Sequence, residues 1–461
     1  MKVAVIGAGI SGLSVAFYLK KGGVEVKVFE KKKTVGGKMK TIHEDGYIIE
    51  TGPNGFLDGK PYTLNLVKEL GIESKLYRSS DKARKRFIYT NGRLVRLPEN
   101  PIAFLASYLL SWKGKLRLVG EFLVPPKKED IDESLSKFAK RRIGEEALEK
   151  LLDPMVAGIF AGDPDRLSLK AAFPAIYYLE KQYGGLIKGL IAKMKEAKKS
   201  GKKSGPAGPG GVLTSFKGGV KDLIDSLSEF LGNSIETEVE ILGLDRIEKG
   251  WKVKYKKGNE VFEETFDAVV FSTPAYVTAK LLNDLNLELS RLLSEIEYSP
   301  ISVVALGFEK KGLGHDLDGF GFLVPRSEKR KILGALWDSS VFPNRAPSGK
   351  VLIRVMIGGA RQPELALLSD EELVNIALKE LRRIMKIRHY PEKIKVFKHE
   401  KGIPHYTVGH AERVERIFKL ISKYTGLYLC NNAYTGVGVN DCTKAAKETA
   451  EKILVSGERE G

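Results

Sequence analysis

Apolar positions along the chain switch between two spacings, and the switches mark out its elements. Lys2–Ile6 is a β-branched run, Ser11–Lys20 carries Leu13, Ala16, Phe17 and Leu19 at helical spacing, and Val24–Phe29 alternates as a strand does. Near the other end, Gly426–Cys430 (GLYLC) predicts a short strand, Tyr434–Asn440 (YTGVGVN) a second glycine-rich turn, and Cys442–Leu454 a helix. Two strand–turn–helix units at opposite ends predict one α/β domain assembled from both termini.

The middle has a different texture. Asn100–Val124 joins an apolar, helix-like run to Trp112 and to a basic cluster of Lys113, Lys115 and Arg117. Lys193–Gly211 is basic and then Gly/Pro-rich, which reads as a mobile linker. Alternating segments fill Glu236–Phe271, and Ser302–Phe308, Phe320–Pro325, Ile332–Trp337 and Val351–Ile357 predict a second sheet. Glu371–Ile384 predicts an amphipathic helix, and no internal repeat stands out.

Size and composition narrow the class. At 461 residues the chain exceeds what one hydrophobic core supports, so two or three domains are expected. A formal charge of +18 draws polyanions: nucleic acid, an acidic lipid leaflet or a carboxylate-bearing substrate. A solvated Lys/Glu surface of a heat-loving protein is the equal alternative, and Gln only at Gln182 and Gln362 accords with it. With Cys430 and Cys442 alone, no disulfide framework or four-cysteine zinc site can form, so a reduced, intracellular setting is expected. The N-terminus does not read as a signal peptide, and no apolar run reaches the ~20 residues that cross a bilayer as a helix. His43, His315, His389, His399, His405 and His410 lack metal-ligand spacing and read as surface or structural residues; no metal is expected.

The chemistry begins with Gly7-Ala8-Gly9-Ile10-Ser11-Gly12, directly after a strand and opening a helix. In this setting the first glycine makes the tight turn, the second admits a pyrophosphate, and the third lets helix and strand pack closely. Glu30 ends the second strand, where an acid meets ribose hydroxyls, so a bound dinucleotide is expected. Lys31–Lys40 follows with Gly36-Gly37-Lys38, then Glu50-Thr51-Gly52-Pro53-Asn54-Gly55, and at the far end Gly436-Val437-Gly438-Val439-Asn440. Together these resemble the two-ended flavin site of the amine-oxidase-like superfamily. The resemblance implies non-covalent FAD, held by residues 7–12, Glu30, Lys31, Gly37, Lys38, Gly52, Pro53, Asn54, Gly55, Gly436, Val437, Gly438 and Val439. A plain loop is the alternative for the last turn.

Longer segments sharpen the likeness. Gly319–Pro347 (GFGFLVPRSEKRKILGALWDSSVFPNRAP), Asp153–Leu169, Ser215–Leu223 and Ile403–His410 (IPHYTVGH) resemble the oxygen-dependent protoporphyrinogen oxidase family, which includes coproporphyrinogen III oxidases of the same fold. The likeness runs the length of the chain. It implies that Arg86 pairs a substrate propionate, that Leu323 and Leu336 pack on the macrocycle, that Gly158 lines the cavity near the flavin, and that the Val239 backbone meets the adenine. Met356 stands where some relatives have an aromatic residue, and Ala411 where they often have Trp. It also implies hydride transfer to the flavin with O₂ as final acceptor, needing no assigned acid or base.

The expected architecture has three parts: a Rossmann-type FAD domain (1–62, 211–284 and 405–461), a mixed-sheet substrate domain (63–97 and 285–404) and a helical insertion (98–210). By resemblance the insertion associates with membranes, with Asn100–Val124 as the candidate contact; a buried core helix is the alternative there. That would put the protein in the cytoplasm at the inner face of the cell membrane, with no nucleic acid as partner and a homodimer left open. Protoporphyrinogen IX is preferred to coproporphyrinogen III because the cavity candidates are mostly apolar. Amine oxidases and carotenoid desaturases of the same fold are rivals, as is a non-catalytic carrier on the same scaffold; Arg86 argues against an amine substrate.

Overall fold

A computed structural model describes residues 1–199 and 210–460. The chain opens with β1 (Lys2–Ile6), α1 (Ile10–Lys21) and β2 (Glu25–Glu30), then crosses to a second body with β3 (Arg86–Thr90) and β4 (Arg93–Arg96). After a run of helices between Pro101 and Lys199 it returns for β5 (Ile235–Thr237) and β6 (Ala268–Phe271). It crosses again for β7 (Glu297–Glu309), β8 (Gly321–Leu323), β9 (Gly334–Leu336), β10 (Lys350–Gly358), α2 (Asp370–Met385) and β11 (Lys393–His405), and closes in the first body with β12 (Leu427–Leu429) and α3 (Val439–Glu460).

The first sheet has the order β5-β2-β1-β6-β12 and every pairing in it is parallel. A parallel sheet is covered on both faces, which is why β1 reads as a continuous apolar run. Its odd residues, Val3 and Val5, join a core with Leu13, Ala16, Ala446 and Ile453 of α1 and α3. Its even residues, Ala4 and Ile6, join Trp251, Val253 and Phe266 of a three-stranded meander. Strands from residue 2 to residue 429 thus share one sheet.

The second sheet, β11-β7-β10-β9-β8-β3-β4, is antiparallel except where β8 runs parallel to β3. One face packs on α2 through Val304, Leu306, Ile353, Val355 and Leu381. Strand alternation sends their neighbours to the opposite face. There, cross-strand register sets Arg86 beside Gly321, Gly321 beside Leu336 and Leu336 beside Arg354; one step along lie Leu323, Gly334 and Met356.

Residues 100–124 do not form one helix. They divide into Pro101–Ala106, Trp112–Val119 and a 3₁₀ turn, because Asn100 and Ser111 each cap a new start by accepting from the N–H of Ala103 and Gly114. Lys115, expected as a free basic flank, is buried and donates to the carbonyls of Leu105 and Ser107 at 2.6 and 2.8 Å. The expected linker is also corrected at its start: helix Leu186–Lys199 continues through Lys193, and residues 200–209 lie outside those described. The last helix begins at Val439, inside the second glycine turn rather than after it. Cys430 and Cys442 are both buried and unbridged.

Candidate functional site

At the first glycine turn, Gly7 N–H still donates to the Phe29 carbonyl at 2.8 Å, and the positive φ of Gly7, +103°, then turns the chain off β1. A side chain at Gly12 would place Cβ 2.0 Å from the Gly7 carbonyl oxygen, so only glycine lets α1 start this close to the strand. Gly9 is the opposite case: a Cβ there meets nothing within 4 Å. The space above Gly9 is open. No side chain caps α1, no acid lies in its first turn, and the N–H groups of Ser11 and Gly12 bond no acceptor among the described residues. Free N–H groups and the positive dipole end at an open surface suit a phosphate.

Glu30 closes over this turn. Its carboxylate accepts from the N–H of Ala8 at 3.0 Å and of Lys32 at 2.9 Å. Val239 lies two residues beyond Thr237, which pairs with Glu30; Glu238 donates to the Lys32 carbonyl, and Lys31 pairs Glu240 at 2.6 Å. Gly36 N–H donates to the Ala8 carbonyl at 2.7 Å, which brings Gly37 against Gly9. Lys38 follows. Burial pulls its ammonium down to about 8, helped by the charge of Lys32, and it donates to the carbonyls of Lys401 and Gly402 on β11.

Gly52 packs on the Lys38 carbonyl and Gly55 on that of Thr214; either Cβ would intrude on backbone oxygen, at 2.7 and 2.2 Å. Pro53 and Asn54 bridge them, and the Asn54 side chain donates to Asp338 at 3.2 Å. Sequence reasoning gave no role to the charges beneath this loop. Arg354, buried, grips Asp338 and donates to the carbonyls of Glu50 and Gly52, while buried Arg345 pairs Glu50 at 3.3 Å. Such charges sit inside only because each has a partner.

The second glycine turn lies beside the first. Helices α1 and α3 pack together, the Ser11 hydroxyl contacts the Cys442 thiol, and Ile10 packs against the same core as Val439. The Gly436 N–H donates to the Tyr406 hydroxyl at 2.9 Å and the Gly438 N–H to Asp441 at 3.2 Å. The N–H groups of Val437, Val439 and Asn440 bond no acceptor among the described residues. Two sets of free donors from opposite ends of the chain therefore sit side by side.

The opposite wall comes from the second sheet. Between Val351 and Gly359 every residue is buried except Met356; Leu336 is the partly exposed residue within Ile332–Asp338, and Leu323 within Gly321–Pro325. The sheet face carrying these three is thus open to solvent along one stripe of apolar side chains. A Cβ at Gly158 would lie 3.1 Å from the Leu323 methyl groups, so the insertion's helix Asp153–Phe160 reaches this stripe. Arg86, on the same face, is solvent-accessible yet crowded enough that desolvation lowers its guanidinium pKa. It lies 5.2 Å over the Phe320 ring and has no carboxylate partner among the described residues.

Of the histidines, His399 is partly buried and faces the Thr51 carbonyl at 2.8 Å, and His405 accepts from the Asp163 N–H at 3.2 Å. His410 stacks on Tyr406 at 4.1 Å, and burial pulls it down to about 4. Among the described residues no cluster of His, Cys, Asp or Glu could hold a metal ion.

A family model for flavin-containing amine oxidoreductases matches residues 10–454. The chain belongs to that family. Coproporphyrinogen III oxidase of Bacillus subtilis is 32% identical to the oxidoreductase, over 98% of this chain and 97% of its own. Protoporphyrinogen oxidase 2 of Arabidopsis thaliana, chloroplastic/mitochondrial, is 33% identical over 98% of this chain and 94% of its own. A crystal structure from Exiguobacterium sp. 255-15, provisionally assigned as a protoporphyrinogen oxidase, superposes with a TM-score of 0.83 at 27% identity, covering 99% of both chains. The cofactor of the oxidoreductase is FAD, and its own residues suit one: the open approach at Gly9, two adjacent groups of unbonded N–H donors and the Glu30 carboxylate.

Proposed function

We propose that this flavoprotein oxidises protoporphyrinogen IX to protoporphyrin IX with O₂. The observation that carries the reading is Arg86, a cation with no carboxylate partner among the described residues, on the same sheet face as the apolar stripe of Leu323, Leu336 and Met356. A flat, greasy macrocycle with acidic arms matches that face, since a guanidinium holds a carboxylate through two hydrogen bonds. Bound FAD would supply a two-electron acceptor, each reoxidation by O₂ reducing that O₂ to hydrogen peroxide, so three rounds account for the six hydrogens that separate porphyrinogen from porphyrin. The chain's own work is to orient and to exclude water: Leu323, Leu336, Met356 and Gly158 shape the wall, and Arg86 fixes the ring by one edge.

On this reading FAD is held by residues 7–12, Glu30, Lys31, Gly37, Lys38, residues 52–55, Val239 and residues 436–439. The three-part division into FAD domain, substrate domain and helical insertion follows from it. The insertion rests on a membrane surface. Ile102, Tyr108, Trp112, Leu116 and Leu123 support this, each 70% exposed or more, within one short stretch that also carries exposed Lys113. No described helix is long and apolar enough to cross a membrane; on this reading the contact is a peripheral one at the inner face of the cell membrane.

Coproporphyrinogen III is the second reading, favoured by the likeness to the Bacillus subtilis enzyme. Mixing the protein anaerobically with each porphyrinogen and then admitting air separates the two by porphyrin fluorescence. Rapid fluorescence with protoporphyrinogen IX supports the first reading, fluorescence only with coproporphyrinogen III supports the second, and none with either rejects both. Arg86→Ala should lower kcat/KM roughly 10- to 100-fold, the loss of one charged hydrogen-bonded contact, while the flavin spectrum stays as it was.

A further inference from the structure

The segment Tyr406–His410 belongs neither to the unbonded donors of the two glycine turns nor to the apolar stripe, yet it touches both the second turn and the helices before it in the chain. Tyr406 is 2% exposed. Its hydroxyl donates to the Asn432 carbonyl at 2.5 Å and accepts from the Gly436 N–H at 2.9 Å, so one oxygen spans the stretch that leads into the second glycine turn. Burial raises the phenol's pKa well above its usual value, which keeps the proton that the Asn432 bond requires.

The same segment is stitched to the helical insertion. Ser168 N–H donates to the Tyr406 carbonyl at 2.8 Å, Val408 N–H to the Arg166 carbonyl at 3.0 Å, and Gly409 N–H to Asp132 at 3.0 Å. Asp132 also takes the Ser168 hydroxyl at 2.7 Å. The Tyr406 ring sits in a core with Phe138, Val156 and Phe160 of the insertion, and Val437 of the glycine turn packs against that core.

We propose that Tyr406 is a positioning residue for the flavin: it fixes the second glycine turn and makes that turn answer to the helical insertion. Its hydroxyl takes the Gly436 N–H and Asp441 takes that of Gly438, leaving the donors of Val437, Val439 and Asn440 free. The insertion, docked through Asp132 and Ser168, holds the tyrosine in place. A shift of the insertion on its surface therefore reaches the turn through Tyr406. The inference rests on the FAD site alone and not on the identity of the porphyrinogen.

The test uses the holoenzyme of the full chain, with FAD as the probe. Tyr406→Phe keeps the ring and removes the hydroxyl; the control, Tyr428→Phe, removes a hydroxyl that lies 3.3 Å from Ser456 elsewhere in the same domain. For Tyr406→Phe, FAD release on dilution should show a dissociation constant raised about tenfold, with shifted visible bands and a shifted two-electron potential; Tyr428→Phe should match wild type. Asp132→Ala, whose side-chain bonds are to Ser168 and Gly409, should shift the bands in the same direction, and combining it with Tyr406→Phe should add little further. Wild-type affinity and bands in Tyr406→Phe, or equal losses in Tyr406→Phe and Tyr428→Phe, would overturn the positioning role. Unshifted bands in Asp132→Ala would overturn the link to the insertion, and that variant still reads the link should Tyr406→Phe fail to fold.

Discussion

Two glycines of one motif, three residues apart, should fail in opposite ways when given a methyl group. Gly12→Ala drives a Cβ to 2.0 Å from the Gly7 carbonyl oxygen. A carbon and an oxygen rest near ~3.2 Å apart, so α1 must back away from the turn by about 1 Å, and overpacking of that kind costs about 1–3 kcal/mol. Gly9→Ala meets nothing, and its backbone, φ −78° and ψ 178°, is one that alanine adopts freely. Apoprotein stability should hold or rise by about 0.4–1 kcal/mol, since alanine narrows the unfolded ensemble. The methyl instead occupies the pyrophosphate's approach. If affinity falls about 100-fold, FAD at 100 times the wild-type Kd stabilises the variant by about 0.4 kcal/mol instead of about 2.7. Urea unfolding of each apoprotein, with and without FAD, measures both quantities. Wild-type FAD binding by Gly9→Ala, or an unperturbed Gly12→Ala apoprotein, would refute the division of labour.

Three further outcomes can be checked independently. His410, held near 4 by burial, is neutral in the fold while the unfolded residue titrates near 6.5. Its contribution is complete above pH 6.5 and is lost as pH falls toward 4, by about 3 kcal/mol in all, so urea midpoints of His410→Gln should decline less steeply across that window. Glu121, 1% exposed, pairs Arg142, 0% exposed, and accepts from the N–H of Leu186 and Ile187; Glu121→Ala should cost about 3–5 kcal/mol and open the insertion first to protease. Trp112→Glu should lower flotation with acidic liposomes, and undiminished flotation would remove residues 100–124 from the membrane contact.

The parts of the molecule that were legible in the sequence are those where one local rule decides the outcome. β1, α1 and β2 follow from a β-branched run, a glycine turn and a 3.6-residue stripe, and β12 with its glycine turn repeats that grammar. The stripe of Leu323, Leu336 and Met356 came from likeness, and alternation in the second sheet then places all three on one face. Where competing local signals meet, the reading failed. The apolar content of residues 100–124 hid the caps at Asn100 and Ser111, and lysines suggested a linker where helix Leu186–Lys199 continues. Buried Arg142, Arg345 and Arg354 were unreadable for another reason: their partners, Glu121, Glu50 and Asp338, are distant in sequence or lie on other elements, and only folding brings them within reach. Tyr406 stood in plain view within IPHYTVGH, but its role depends on Asn432 and Gly436, which no spacing rule connects to it.

Because β12 completes the sheet that β1 begins, the flavin domain cannot close during most of translation. β1 waits for residue 268 before its second neighbour exists, and β6 keeps a bare edge until Leu427–Leu429 leaves the ribosome. At about 5–20 residues per second, the roughly 160 residues between β6 and β12 keep that edge unpaired for about 8–30 s, a template for strands of other nascent copies. A stop codon just after Lys423 would leave the edge bare for good, and with it would go the second glycine turn.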